Sequence, residues 1–399
     1  MGKWSCQESF ETLDCKVLKG YKSPMNLNIN QYDPPKLTIG RHTAPIPIIQ
    51  GGMGVGISMA GLASAVARAG GIGVIAAVLI GITEEDFVKR PQEATYRALA
   101  KQIKLAKEKA PGGVIGVNIM VALTDYEKMV HVASEAGADI IISGAGLPLR
   151  LPEYVAEGSS PELVPIVSSG RAAQILCKRW GEHFGKPPSA FVVEGPKAGG
   201  HLGFKFEDID SEETRLEKLI PEVVEAVKPF EDKYSVSIPV IAAGGIFTGQ
   251  DMYNIMKIGA SGVQMGTRFV ATHECDASEK FKQAFVEATP DDVIITRSPV
   301  GMPGRALKGK ITERAKRGEI HPPKKCIYQC LKTCDPKSTP YCISMALVNA
   351  QRGILDAGLV FCGANVHRVN KIIPVQELID TLVEEYRQAA KKDQQAAVS

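Results

Sequence analysis

Between residues 47 and 265 the chain repeats one pattern. A short, uninterrupted apolar run breaks at glycine or a small polar residue, and a stretch with helical spacing of apolar positions follows. The apolar runs fall at 47–50, 73–77, 114–119, 138–142, 164–168, 190–193, 238–242 and 262–265. Runs without polar alternation are strands covered on both faces, and strands separated by helices pair in parallel. The spacing predicts a small-residue helix that Ser58 caps and that reaches Ala69, and a charged amphipathic helix over 91–109. Eight units of this kind predict an α/β fold, a closed (β/α)8 TIM barrel, in preference to a doubly wound open sheet.

Past residue 275 the pattern changes. Residues 296–306 carry several turn formers and read as an extended loop. Either it crosses the barrel mouth, where Met302 and Arg305 would face substrate, or it is an ordinary surface excursion. The basic stretch 308–317 reads as a solvated helix face, with binding of an acidic carrier or a nucleotide phosphate as the functional alternative. From Ser344 to about Ala390 two helices are expected, the second with a stripe of Glu377, Leu378, Leu382, Val383 and Tyr386, packed on the barrel as a cap. The tail from Lys391 is polar and expected to fray. The organisation expected is an N-terminal extension (1–36), the barrel (37–290), and a helical, Cys-rich C-terminal extension (291–399) made of the mouth-crossing loop, the cysteine segment and the C-terminal helices.

Composition narrows the function classes. The chain has 399 residues, 44% of them hydrophobic, enough to bury a large core. A net charge of +3 with scattered basic residues gives no nucleic-acid track. No apolar run reaches the roughly 18 residues of a membrane span, and the first 25 residues lack the apolar core of a signal peptide. Nine cysteines in a chain of this length do not make a disulfide scaffold, so a cytoplasmic location is expected.

The segments that end the strands carry the chemistry, because in such barrels the loops after the carboxyl ends converge on one mouth. After the sixth run the chain reads Glu194-Gly-Pro-Lys-Ala-Gly-Gly-His-Leu-Gly203. Its glycines let the backbone approach a flat or anionic ligand, and His201 is the one imidazole in a loop otherwise short of side chains. The first run ends in Gln50-Gly51-Gly52-Met53, the third at Asn118 and the fourth in Ser143-Gly-Ala-Gly-Leu-Pro148. The seventh and eighth end in Ala243-Gly244-Gly245-Ile246 and Gln264-Met265-Gly266-Thr267-Arg268. Glycines after strands seven and eight are what a phosphate needs, since backbone N–H groups must point at the anion.

Four ordered motifs (50–53, 194–203, 241–246 and 264–269) make residues 37–275 resemble the nitronate monooxygenase (2-nitropropane dioxygenase) family, which also includes flavin-dependent enoyl-acyl-carrier-protein reductases. The resemblance implies an FMN-binding barrel and a flavin-dependent oxidoreductase. Gly51, Gly52, Met53, Asn118, Glu194, Gly199, Gly200, Gly244, Gly245, Gln264, Met265, Gly266 and Thr267 then hold FMN, with Gly245 and the 264–267 group at its phosphate. His201 matches the family's catalytic histidine, a proton carrier whose unperturbed pKa of about 6.5 suits the task. The leading expectation is oxidation of alkyl nitronates or nitroalkanes with O2. The alternative is an NAD(P)H-dependent enoyl-ACP, quinone or enone reductase, with NAD(P)H as reductant and an acyl carrier protein as partner. A phosphate-binding barrel isomerase or aldolase, or a non-catalytic FMN carrier, is the reading without redox chemistry. Glu194 stands where monooxygenases of the family usually show Gln, and with the 143–148 loop it is closer to the reductase branch. A carboxylate there repels an anionic reduced ring unless Glu194 is protonated or paired with Lys197. A small-molecule substrate is expected, neither nucleic acid nor membrane is, and a homodimer stays open.

Cys326, Cys330, Cys334 and Cys342 follow with three, three and seven intervening residues. Thiolate-only sets suit zinc or an iron–sulfur cluster, and Cys326, Cys330 and Cys334 would share a helix face. The other reading is free thiols packed as small hydrophobes.

Overall fold

The computed structural model describes residues 31–398, so most of the expected extension 1–36 lies outside the described residues. A short hairpin, β1 (Leu37–Ile39) and β2 (His42–Ala44), precedes the barrel. The barrel strands are β3 (Ile48–Gln50), β4 (Ile72–Ala76), β5 (Val114–Met120), β6 (Ile140–Gly144), β7 (Glu162–Val167), β8 (Phe191–Glu194), β10 (Val240–Ala243) and β11 (Gly262–Met265). The two-residue β9 (Gly200–His201) sits outside this ring. All eight pair in parallel in chain order, and β11 closes on β3 with Met265 opposite Gln50. The closed barrel is the one the eight apolar runs predict.

Two apolar layers explain why those runs are continuous. In β8, Phe191 and Val193 face the outer helices while Val192 packs inside the barrel. The same alternation sends Val117 and Ile119 of β5, and Val263 and Met265 of β11, outward. Asn118, Glu194 and Gln264 therefore point inward at the carboxyl ends of their strands. Leu37, Ile39 and Ala44 of the hairpin join the interior cluster, and Leu37 lies beside Gly262 at the opposite, amino end.

Around the ring run α1 (Ala60–Arg68), α2 (Pro91–Lys109), α3 (Tyr126–Glu135), α4 (Gly170–Phe184), α5 (Leu216–Tyr234), α6 (Gly249–Lys257), α7 (Thr267–Val270) and α8 (Glu279–Val286). The small residues of α1 allow it to lie close on β4: a Cβ at Gly73 would stand 1.8 Å from the Ala63 carbonyl oxygen. Its cap differs from the expectation. Met59 is the N-cap residue, and the Ser58 hydroxyl accepts from Met53 N at 2.9 Å instead. The capping carboxylate arrives from far along the chain, because Asp276 accepts from Met59 N at 2.8 Å and Leu62 N at 3.1 Å. Asp276→Ala leaves these enclosed donors without an acceptor and is expected to cost about 2 kcal/mol. Urea unfolding checks this, and an unchanged midpoint would show that water replaces the carboxylate.

Two further expectations are corrected. Residues 296–306 are not a loop but most of an antiparallel hairpin, β12 (Val293–Arg297) and β13 (Pro303–Leu307). The β-branched residues of β12 supply strand chemistry; Pro299 and Gly301 (φ +84°) fall in the turn, while Pro303 and Gly304 open β13. β13 pairs in turn with β9, placing Gly304 opposite His201. The tail from Lys391 does not fray either. After α9 (Lys310–Lys316) and α10 (Ile343–Gln351), the last helix α11 (Val375–Val398) runs through it. Asp393 is held by Lys257 Nζ at 2.7 Å and by the Tyr253 hydroxyl at 2.9 Å. Leu378 and Leu382 are fully buried against the barrel side, and Gly249 N donates to Glu385 Oε2 at 2.7 Å.

Candidate functional site

The glycine loops at the carboxyl ends of the strands enclose two adjoining cavities. The first, of about 220 Å³, is lined by Gly51, Gly52, Met53, Glu194, Gly199, Gly200, Gly244, Gly245, Gln264, Met265, Gly266 and Thr267. The second, of about 520 Å³, holds Asn118 and His201 in its wall. Gly52, Glu194, Gly199 and Gln264 line both, so every candidate cofactor and catalytic residue read from the sequence comes to one mouth. Several of the glycines are there of necessity. Gly244 and Gly245 have φ +95° and +88°, where a Cβ is strained, and a Cβ on Gly52 would stand 2.3 Å from Asn118 Cβ.

These residues fit a flat, phosphate-bearing cofactor. Gln264 Oε1 is buried without a hydrogen-bond partner while the residue faces both cavities. A buried acceptor of this kind calls for a donor, which a ligand or an ordered water in the cavity supplies. The glycine backbones leave the space beside it clear of side chains.

His201 is held from two sides. Its Nε2 lies 2.6 Å from Ser298 Oγ, and its ring meets Phe361 edge-on at 5.1 Å. Burial pulls its pKa down to about 4, so the imidazole is neutral near pH 7. Burial acts in the opposite direction on Glu194, pushing its carboxyl up to about 7. Lys197 lines the first cavity, and no ion pair joins it to Glu194 among the described residues. The β12–β13 turn positions the support of His201, since Ser298 N donates to Met302 O and Met302 lines the second cavity. Arg305 does not face that cavity. Its Nη1 donates to Ala198 O at 2.9 Å and to Pro196 O, which clamps the histidine loop from behind.

Sequence reasoning missed one wall. Residues 361–365 line the first cavity. Gly363 N donates to Thr267 Oγ1 at 3.0 Å, Ala364 N to Lys197 O at 3.1 Å, and Asn365 Nδ2 to Gly245 O at 2.6 Å. The available signal was an apolar stretch breaking at Gly363, the same signature as in the loops that were read. Ser298 carried no such signal.

The expected metal centre at the cysteine segment is not seen among the described residues. Cys326, Cys330, Cys334 and Cys342 are free thiols, and no group of three or more His, Cys, Asp or Glu among the described residues is arranged to hold a metal ion. Three of the thiols share no helix face, because 321–342 is irregular, with Gln329 at φ +43° and Leu331 bridged to Leu123. Burial pushes the Cys330, Cys334 and Cys342 thiols up, and Cys330 Sγ pairs with Ser344 Oγ at 2.9 Å. On the basic stretch, Lys310 pairs with Asp356 and Arg317 with Glu319 on an exposed surface. No helix among the described residues is long and apolar enough to cross a membrane.

Comparison with known proteins agrees on the family, while the relatives carry different names. A family model described as nitronate monooxygenase matches residues 36–385, well past residue 275, where the resemblance of the motifs ends. A (3aS,4S,5R,7aS)-5-hydroxy-7a-methyl-1-oxo-octahydro-1H-indene-4-carboxyl-CoA dehydrogenase of Mycobacterium tuberculosis is 28% identical over 272 residues, 68% of this chain and 66% of that protein. The chain thus spans just under two thirds of that relative's length. A probable nitronate monooxygenase of Staphylococcus saprophyticus is 26% identical, over 67% of this chain and 77% of its own. Among solved structures, FabK from Thermotoga maritima superposes with a TM-score of 0.67 at 26% identity, covering 88% of this chain and 96% of that one.

Proposed function

The chain belongs to the nitronate monooxygenase family, and on that premise we propose that it is an FMN-dependent oxidoreductase that oxidises alkyl nitronates with O2. The observation that carries the reading is the shared wall of the two cavities, where a glycine cradle with an unpartnered Gln264 Oε1 adjoins a neutral histidine. FMN would be held by Gly51, Gly52, Gly199, Gly244, Gly245 and residues 264–267, with Asn118 beside it, and when bound it supplies the electron-transfer chemistry. The protein's own part is placement and proton handling. His201, neutral near pH 7, accepts a proton from a nitroalkane or orients the nitronate, and Ser298 fixes its ring. Met302, Met120, Leu147 and Ile166 supply the apolar part of the second cavity's wall.

A second reading has its own support. Glu194 carries no ion-pair partner, but burial raises its carboxyl to about 7, which eases the charge objection to reductase chemistry. A cavity of about 520 Å³ also has room for more than a small nitronate. In that reading NAD(P)H is the reductant and an enoyl thioester, quinone or enone the acceptor.

An anaerobic reductant screen separates the two. Ethyl nitronate is expected to bleach the flavin, with O2-dependent turnover, and NADH and NADPH are not. Rapid bleaching by a nicotinamide would shift the assignment to a reductase. A colourless protein that cannot be reconstituted with FMN would overturn both.

A further inference from the structure

The alternation along β8 puts Val192 inside the barrel and so turns Glu194 inward at its mouth. There it lines both cavities, at the point where they meet. Its carboxyl has no hydrogen-bond or ion-pair partner among the described residues, although polar side chains surround it. Three other ionisable residues line these cavities, and burial keeps one of them, the Cys362 thiol, protonated by pushing it up to about 12. Lys197 is spread against Gly245, a Cβ on which would meet Lys197 Cβ at 2.9 Å and Cδ at 3.0 Å, and His201 is engaged by Ser298. The groups facing Glu194 from the other strands and loops (Asn118, Met120, Ser168, Gln264 and Met302) are uncharged.

We propose that Glu194 is the proton-holding group of this site, which takes up one proton from solvent as an anion enters the second cavity and donates its O–H to that anion. The inference rests on reading the second cavity as the substrate site. The balance is simple: a carboxylate and a solvent proton become a carboxylic acid, the anion keeps its charge, and no electrons move. A half-buried carboxylate and an incoming anion repel each other with no cation bonded to the carboxyl, so protonation of one of them favours the pair. Burial already brings the carboxyl to the edge of protonation near pH 7, so the anion has little further to push it. His201 cannot serve instead, because its pKa is far below that range.

Two measurements test this. In apo-protein carrying 13C-labelled glutamate, one carboxyl signal is expected to titrate near pH 7 and to be missing from Glu194→Gln. If every glutamate titrates below about pH 5.5, the proposal fails whatever the cofactor. In FMN-loaded protein kept anaerobic, the Kd for ethyl nitronate is expected to rise about tenfold per pH unit above 7, with one proton taken up per anion. That slope should flatten in Glu194→Gln and survive in His201→Gln. A flat wild-type profile, or a slope that Glu194→Gln keeps, would overturn it. If the signal near pH 7 is present but ethyl nitronate does not bind, the substrate reading of the cavity falls, and the anion half of the proposal with it.

Discussion

Turnover of the FMN-loaded protein is expected to fall by about 10²-fold or more on replacing His201 with alanine, with the flavin still bound. The size follows from the roles left vacant. No other imidazole lines either cavity, and the remaining ionisable groups are Glu194, Lys197 and the buried Cys362 thiol, which burial pushes up to about 12. FMN should stay because most of the first cavity is built from residues 51–53, 244–247 and 264–267, and His201 touches its wall only through the edge-on contact with Phe361. The pH dependence carries a second signature. With the folded pKa near 4, His201 remains neutral down to that value, so its limb of the pH–rate profile lies near 4 and not near 6.5. The sign for stability follows from the same shift. Below pH 6.5 the unfolded chain binds this proton and the folded one does not, so stability declines as pH falls from 6.5 to about 4. Over that window the loss is on the order of 3 kcal/mol, and thermal unfolding of His201→Ala should show correspondingly less decline. Unchanged turnover would remove His201 from the mechanism, and an acid limb near 6.5 would mean that the site is wetter than its packing implies.

The parts of this site that the sequence made legible are the local ones. Strands buried on both faces leave continuous apolar runs, so all eight barrel strands could be read, and the loops that end them announce themselves by glycine. What could not be read depends on contacts between distant positions. Ser298 is 97 residues from His201, and only the pairing of β13 with β9 brings them together. Asp276 caps α1 from more than two hundred positions away, displacing the local candidate Ser58. The cysteine spacing had a helical period, yet Pro322, Pro323, Pro336 and Pro340 punctuate the segment, and Leu331 pairs with Leu123 instead of continuing a helix. A period in the sequence is only a propensity, and here a tertiary contact decided against it.

The wall formed by residues 361–365 makes the last prediction. Gly199→Ala is expected to weaken FMN binding by about 10- to 100-fold without unfolding the barrel. Gly199 does not have a positive φ, so alanine brings no backbone strain there. Its effect is purely one of space, since the new Cβ would lie 2.6 Å from the Cys362 carbonyl carbon and 2.7 Å from Gly363 N. That backbone cannot retreat freely, because Cys362 N donates to Arg305 O, Gly363 N to Thr267 Oγ1 and Ala364 N to Lys197 O. Crowding of this kind typically costs about 1–3 kcal/mol, which is the stated loss if it falls on the cavity and not on the core. Gly309→Ala is the control, a glycine in extended backbone with nothing within 4 Å of its Cβ position, and its FMN affinity should match the parent. Flavin-fluorescence titration of the two apo-variants reads the difference directly. Equal affinities would mean that the 361–365 segment moves aside at no cost and that the cofactor is gripped by the barrel loops alone.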